Sequence, residues 1–181
     1  MSRLPSITTR DQLSKDQHHN FDTIASSRGY VSGPFSVLLN SPELAGRVGH
    51  LGTYLRFEGI LQGAERELAI ISTSREFDCD FEWSAHEPLA RLEGVSDEAI
   101  QVVSSNGPLD RLNSSEALII QYCREIVQNH RVSDKTFMVA KDRFGIQGIT
   151  ELTTTIGYYA MLACALNAFE VEAPADAPRL T

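Results

Sequence analysis

Apolar residues recur at helical spacing along almost the whole chain, and the alternating pattern of a β-strand is nearly absent. The clearest example follows Ser41-Pro42-Glu43, which supplies an N-cap, a proline at the first helical position and an acid near the positive end of the helix dipole. Apolar residues then follow at spacings of four, three and four: Leu44, Val48, Leu51 and Leu55. The chain is therefore predicted to be all-α, with about eight helices and no sheet. The first three predicted helices span residues 11–28, 42–59 and 64–77. The fourth has Asp78 or Asp80 as its cap and runs through His86 to Leu92, and a short helix starts at Ser96. A weak capping box of Asn113 and Glu116 precedes a helix over 118–130, and the last two span 134–145 and 149–169.

The domain organisation predicted from the sequence is simple. With 181 residues the chain can bury a sizeable core as one domain. We divide it into an N-terminal polar helical extension (residues 1–32), a helical domain (33–170) and a C-terminal tail (171–181). The tail contains Pro174 and Pro178 and is expected to be loosely ordered or to lie on a neighbouring element.

The charge pattern excludes several kinds of partner. The chain carries 24 acidic against 16 basic residues, a net charge of −8, without a basic cluster, so we expect no nucleic-acid partner. The most apolar stretch, 156–169, has about two-thirds of the length that spans a bilayer, so we expect a buried helix and no membrane association. Three scattered cysteines suit neither a disulfide framework nor a zinc site and fit a reducing cytoplasm. No metal-ligand cluster, phosphate loop or serine nucleophile motif is visible, so neither metal nor cofactor is expected.

One segment combines side chains capable of acid–base chemistry. Cys79, Glu82 and His86 are spaced three and four apart, which places them on one face of a helix. A glutamate four residues before a histidine can orient the imidazole and support its protonated form. Glu67, on the preceding helix, can supply a second carboxylate. The simpler alternative is a solvated Glu–His pair with Cys79 as a small packed residue.

The segment from Glu67 to His86 resembles the carboxymuconolactone decarboxylase and alkylhydroperoxidase D (AhpD-like) superfamily. The mark of that superfamily is a glutamate, then a CxxC motif, then a histidine four residues after the second cysteine. Here Glu67 precedes Cys79 by twelve residues and His86 matches the histidine, whereas Glu82 stands in place of the second cysteine. The general likeness extends from about Gly33 to Phe169, and it is closer to the decarboxylase-like branch, which lacks the full CxxC.

The resemblance implies a helical domain that forms a homo-oligomer and performs cofactor-independent acid–base chemistry on a small carboxylated lactone or related organic acid. His86 would be the proton donor, Glu82 its orienting partner and Glu67 a relay or second base, with Cys79 beside them. An anionic substrate also needs a cationic anchor, for which Arg56 and Arg75 are candidates, with Tyr54 beside Arg56. Solvation at the surface is the simpler role for each arginine alone.

Two alternatives stay open. The peroxidase branch cycles two cysteines through a disulfide, and Glu82 removes the second one, but Cys79 alone could still serve a thiol antioxidant with peroxiredoxin activity. The chain could also be a non-catalytic helical oligomer that binds a small ligand. Cys123 and Cys164 are expected to be core residues. Tyr158 and Tyr159 are expected not to face the core together, because they are adjacent on one helix.

Overall fold

The computed structural model describes residues 2–180, and every regular element in that part of the chain is helical. The predicted all-α fold of about eight helices without a sheet is confirmed. By its internal contacts the chain forms two compact units. Unit 1 contains residues 2–59 and Cys164–Glu172, and unit 2 contains Ile60–Ala163 and residues 173–180. The predicted domain boundaries after residues 32 and 170 were placed by the extent of the family resemblance and not by internal contacts. They stay a prediction.

Unit 1 contains three helices: α1 (His18–Arg28), α2 (Pro34–Leu38) and α3 (Pro42–Thr53). The π-helical turn Tyr54–Glu58 extends α3. The predicted start of the first helix at residue 11 is wrong by seven positions, because two separate 3₁₀ turns, Arg10–Gln12 and Lys15–Gln17, precede His18.

Small residues on α3 allow it to pack closely against α1. A Cβ atom added to Gly49 would lie 2.9 Å from Cγ1 of Ile24, and one added to Gly46 would lie 2.3 Å from Oδ1 of Asn20. The apolar stripe of α3 therefore does not all face the interior: Leu44 and Leu51 are 49% and 42% exposed. The face that packs against α1 consists of glycines, alanine and valine, which a search for large apolar residues at helical spacing passes over.

Unit 2 contains α4 (Gly63–Glu76), α5 (Asp80–Leu92), α6 (Asp97–Ser104), α7 (Ser114–Asn129) and α8 (Asp134–Ala168) up to Ala163. Asn113 caps α7 by accepting hydrogen bonds from the backbone N–H groups of the second and third helical residues, as its position in the sequence predicted. No helix among residues 2–180 is long and apolar enough to cross a membrane.

Helix α4 is the centre of unit 2, and it packs against α5, α6 and α7. All eight residues of its middle, 67–74, are buried. The surrounding core is mainly aliphatic, and its members include Leu68, Ile71, Trp83, Ile100, Ile119, Ile120, Tyr122, Leu152 and Ile156. A polar side chain that points out of the middle of α4 is thus removed from water.

Helix α8 bends at Gly145, which has φ = +69° and ψ = −178° inside an otherwise helical run. A residue with a Cβ atom rarely adopts this backbone conformation, so glycine is required at the bend. The predicted end of a helix at Gly145 is confirmed. The following helix begins at once instead of at residue 149, because the residues directly after Gly145 are already helical.

Candidate active site

Three ionisable side chains meet where α4 packs against α5. Glu67 is in the middle of α4, and Glu82 and His86 occupy positions i and i+4 of α5. All three are buried, with exposed fractions of 1%, 3% and 5%. The spacing of Glu82 and His86 predicts that they share a face, and the structure places them so.

The imidazole of His86 lies between the two carboxylates. Its Nδ1 is 2.6 Å from Oε2 of Glu67, and its Nε2 is 3.5 Å from Oε2 of Glu82. The Glu67 contact is a short hydrogen bond, whereas the Glu82 contact is at the outer limit for one. The predicted proximity of Glu67, Glu82 and His86 is present in the structure.

This arrangement can hold and pass a proton. A neutral imidazole has one N–H donor and one acceptor nitrogen, yet here both nitrogens face carboxylates. Buried carboxylates are costly to ionise unless a cation or a hydrogen-bond donor compensates them. Arg66, whose Nε is 3.2 Å from Oε1 of Glu67, supplies one compensating charge. A proton held between the His86 ring and the facing carboxyl groups can compensate the other carboxylate, and such a proton can be donated to a bound molecule.

Arg66, which the sequence did not single out, and Tyr159 complete the surroundings of His86. Arg66 donates from Nε to Oε1 of Glu67 at 3.2 Å, with its side chain 17% exposed. The ring of Tyr159 meets the His86 ring edge-on, with centroids 5.1 Å apart. Arg66 adjoins Glu67 in the sequence, but neighbours on a helix normally point about 100° apart, so sequence position gave no signal for this contact.

Tyr158 and Tyr159 are both buried, which corrects the expectation that one of them would leave the core. Their rings pack edge-on at 5.3 Å. Helix α8 is covered over a wide arc at this point, since Leu152, Thr155 and Ile156 are buried as well. Two adjacent positions can therefore both face protein.

Cys79 is the N-cap of α5, one turn before Glu82, and it is fully buried as a free thiol. Burial raises the pKa of the thiol to about 11. The backbone N–H groups of Glu82 and Phe81 act in the opposite direction, while the charges of Glu82 and Asp80 raise the pKa further. At neutral pH Cys79 is thus a protonated thiol beside the helix N-terminus.

The other two cysteines occupy different environments. Cys123 is buried, as expected, with its Sγ 3.4 Å from Oγ1 of Thr73, and burial raises its pKa to about 12. Cys164 is exposed, so its expected place in the core is wrong. Cys164 is in the apolar last part of α8, where helical periodicity alone does not tell which side of the helix is exposed.

The predicted substrate-binding residues are in different parts of the chain. Tyr54 and Arg56 belong to the π-helical turn of unit 1, where Tyr54 is 39% exposed and the Arg56 guanidinium lies over the Phe57 ring, 5.1 Å from its centroid. Arg75 is near the end of α4 and donates from Nη1 to Asp78 Oδ1 at 2.5 Å. Substrate binding by these residues stays a prediction.

Among residues 2–180 there is no group of three or more His, Cys, Asp or Glu side chains arranged to hold a metal ion.

Comparison with known proteins gives a family match and several structural matches. Residues 42–109 match the sequence model of the carboxymuconolactone decarboxylase family, a segment that contains Glu67, Cys79, Glu82 and His86. No curated protein matches the chain in sequence.

One similar solved structure is a protein of unknown function from Agrobacterium tumefaciens, described as a candidate antioxidant defence protein AhpD. Its identity is 19% and its TM-score 0.68, over 80% of this chain and 100% of that one. The debrominase Bmp8 without ligand has 16% identity and a TM-score of 0.71, over 95% of this chain and 92% of that one. A cysteine-to-alanine variant of Bmp8 in complex with 2,3,4-tribromopyrrole has 16% identity and a TM-score of 0.72, over 97% and 94%. The sequence of residues 42–109 is therefore similar to the carboxymuconolactone decarboxylase family, and the chain has the AhpD-like helical fold.

Proposed function

We propose that the protein is an enzyme that performs cofactor-independent acid–base chemistry on a small carboxylated lactone or related organic acid. The observation that carries the proposal is the His86 imidazole, buried between the carboxylates of Glu67 and Glu82. Such a ring has a fixed orientation and a proton held in place, which are the two requirements of a general acid. The family match over residues 42–109 supports the same class of reaction.

Decarboxylation would proceed as follows. The bond between the substrate carbon and its carboxylate breaks, carbon dioxide leaves, and the electron pair passes into a conjugated carbonyl group. His86 then donates a proton to the carbon, and the new carbon–hydrogen bond completes the product. Glu67 and Glu82 stabilise the imidazolium before the transfer and return a proton from solvent to the ring afterwards.

Cys79 fits this reaction better as a neutral neighbour than as a nucleophile. Its pKa is raised to about 11, so its thiolate is scarce at neutral pH. Glu82 also occupies the position of the second cysteine in the disulfide-cycling branch. Arg56, Arg75 and Tyr54 are proposed as anchors for the substrate carboxylate.

The test uses a panel of carboxylated lactones, unsaturated lactones and related acids, with release of carbon dioxide as the readout. His86→Ala should lower turnover by about 10²–10⁴-fold, the usual contribution of a positioned proton donor. The matched control is His50→Ala, because His50 is exposed on α3 of unit 1. Deuterium from heavy water should appear at the carbon that lost the carboxylate. Full activity of the His86→Ala variant would overturn the proposal.

Thiol chemistry at Cys79 is the second candidate. The favouring observation is its position at the N-terminus of α5, where the N–H groups of Phe81 and Glu82 lower the thiol pKa against the effect of burial. A peroxide would oxidise the thiolate to a sulfenic acid and leave as an alcohol, and two equivalents of an external thiol would restore Cys79 while forming a disulfide and water. Because the fold is shared with the debrominase, brominated pyrroles join the peroxides in this part of the panel.

The Cys79→Ser variant separates the two candidates. In the acid–base enzyme, Cys79→Ser keeps most of the activity, whereas in a thiol enzyme it abolishes turnover. If no compound on the panel reacts while one of them still binds, the non-catalytic alternative replaces both. We further infer a cytoplasmic homo-oligomer, which the three free thiols and the family match support.

A further inference from the structure

Arg66 brings a positive charge to the buried group of Glu67, Glu82 and His86. Its Nε donates to Oε1 of Glu67 at 3.2 Å, while Oε2 of the same carboxylate is 2.6 Å from Nδ1 of His86. Because the two oxygens share one carbon atom, a single carboxylate separates the guanidinium from the imidazole. A small molecule bound to the guanidinium would therefore lie beside the proton donor.

The terminal nitrogens of Arg66 are available to a ligand. The bond to Glu67 uses one of the five N–H groups of the guanidinium. Among residues 2–180, Arg66 has no other hydrogen-bond or ion-pair partner. The four N–H groups on Nη1 and Nη2 are thus left for water or for an oxygen atom of a bound molecule.

Arg66 is also the member of this group that reaches solvent. Its side chain is 17% exposed, whereas the side chains of Glu67, Glu82 and His86 are 2%, 4% and 6% exposed. A molecule that approaches from water on this side meets the guanidinium first.

The other two half-buried arginines of unit 2 use their terminal nitrogens within the protein. Arg75 donates from Nη1 to Asp78, and Arg124 donates from Nη1 to the carbonyl oxygen of Gly107. The fourth position of α4, where Arg66 stands, is near the positive end of the helix dipole and is unfavourable for a cation. Neither internal pairing of Nη1 and Nη2 nor the helix dipole therefore accounts for the guanidinium of Arg66.

The decarboxylation described above needs a group that accommodates negative charge on oxygen. When carbon dioxide leaves, the electron pair moves into the conjugated carbonyl group and forms an enolate. Ionised Glu67 and Glu82 only accept hydrogen bonds and would repel this oxygen, and the thiol of Cys79 is a weak donor. N–H donors directed at such an oxygen are among the largest contributions to catalysis.

We propose that Arg66 binds the carbonyl oxygen of the substrate through Nη1 and Nη2 and stabilises the enolate that forms when carbon dioxide leaves. The inference rests on the proposed function, from which the reaction is taken. In a small conjugated lactone the carbonyl oxygen is only a few bonds from the carbon that accepts the proton of His86. Arg66 transfers no proton: its Nε stays on Glu67, and the carbonyl double bond forms again when the carbon is protonated.

Binding of tetronate tests this role without turnover. Tetronic acid is a five-membered lactone with an acidic enol, so at neutral pH it is the anion of a lactone enolate, whereas its methyl ether has the same ring and no charge. By calorimetry, Arg66→Gln should weaken tetronate binding by about 10–100-fold, the usual effect of losing hydrogen bonds to a charged group, and should change binding of the ether much less. Arg66→Lys should restore part of the affinity.

The control is Arg131→Gln, which removes the same charge at an exposed position after α7 and should leave the affinity for tetronate unchanged. Circular dichroism shows whether each variant is folded. Equal losses for tetronate and its ether, an unchanged affinity of Arg66→Gln for tetronate, or no binding of tetronate to the unmodified protein would overturn the proposal.

Protection of the unmodified protein is a second measurement that needs no variant. Phenylglyoxal modifies accessible guanidinium groups, and mass spectrometry of peptides follows each arginine separately. Tetronate should slow the modification of Arg66 and leave that of Arg131 unchanged. The same rate at Arg66 with and without tetronate would contradict the proposal.

The role of Arg66 and the proposed function can fail separately. On a substrate that releases carbon dioxide, Arg66→Gln should lower kcat by about 10²–10³-fold with a smaller change in KM, because the interaction strengthens as charge develops. If His86→Ala abolishes turnover while Arg66→Gln binds tetronate normally, the acid–base function stands and the role of Arg66 falls. If no compound on the panel loses carbon dioxide while tetronate binding depends on Arg66, the reaction falls and Arg66 remains a binding residue for such anions.

Discussion

The Nδ1 atom of His86 lies 2.6 Å from Oε2 of Glu67, so a buried hydrogen bond joins α5 to α4 across nineteen residues of sequence. The bond is shorter than most charge-assisted hydrogen bonds between nitrogen and oxygen. It orients the imidazole from one side and leaves Nε2 turned toward Glu82 at 3.5 Å. The two carboxylates are therefore unequal partners of the ring, and this inequality leads to the first prediction.

Glu67→Gln should disturb His86 more than Glu82→Gln does. The amide keeps the shape of the side chain but removes the negative charge, and the loss is greater at the shorter contact. In the proton NMR spectrum, a far-downfield resonance of the His86 Nδ1–H should be present in the unmodified protein and in Glu82→Gln. It should shift upfield or vanish in Glu67→Gln. The same resonance in all three proteins would show that Glu67 does not hold the ring.

The close packing of α1 on α3 predicts a loss of stability for Gly49→Ala. The added methyl group would lie 2.9 Å from Cγ1 of Ile24, so the helices must separate or the isoleucine must leave its rotamer. We expect the free energy of unfolding to fall by about 1–3 kcal/mol, the usual range for overpacking in a core. Urea denaturation measures it. Leu51→Ala, at a 42% exposed position of the same helix, should change the value by less. An unchanged or higher stability of Gly49→Ala would contradict this packing.

How much of this structure the sequence predicts depends on how far apart along the chain the interacting residues are. Caps and spacing are local, so the start of α7 after Asn113 and the shared face of Glu82 and His86 could be predicted. The predicted proximity of Glu67 to His86 depended on the position of Glu67 on the preceding helix and on the family resemblance, because periodicity within α5 carries no information about α4. The pairing of Arg66 with Glu67 could not be predicted, since it depends on how one side chain folds back along its own helix.

Burial was harder to predict than helix position. Spacing identifies an apolar stripe, but it does not tell which elements cover it. Cys164 is in the most apolar stretch of the chain and yet is exposed. Tyr158 and Tyr159 are adjacent and yet both buried, because α8 has neighbours on more than one side. On α3 the closest contacts are made by glycines, which carry no hydrophobic signal at all.

The three cysteines should react with iodoacetamide at very different rates. Cys164 is exposed, whereas Cys79 and Cys123 are buried thiols with raised pKa values. With a pKa of about 11, about one Cys79 in a thousand is ionised at pH 8, and only the thiolate reacts. Mass spectrometry of peptides at timed intervals should find Cys164 modified first and the other two much later. Rapid modification of Cys79 in the folded protein would instead favour the thiol candidate.

The raised pKa of Cys79 also predicts a loss of stability at alkaline pH. Burial raises this pKa from 9.0 to about 11, so between these values the unfolded chain has released a proton that the folded chain still holds. Stability from this source is complete below about pH 9 and is lost as the pH rises toward 11, by a total on the order of 3 kcal/mol for two pKa units. Urea denaturation under reducing conditions at pH 8, 9 and 10 follows the loss. Cys79→Ser removes the titrating group and should make the decline shallower, although Cys123, tyrosines and lysines still contribute.

Cys164→Ser is the control, because that thiol is exposed and its replacement should leave the slope unchanged. Equal slopes for the unmodified protein and Cys79→Ser would mean that the thiol ionises as easily in the folded chain as in the unfolded one. The thiolate fraction of Cys79 at neutral pH would then be about 100-fold larger than a pKa of about 11 allows, and the balance would shift from acid–base catalysis toward thiol chemistry.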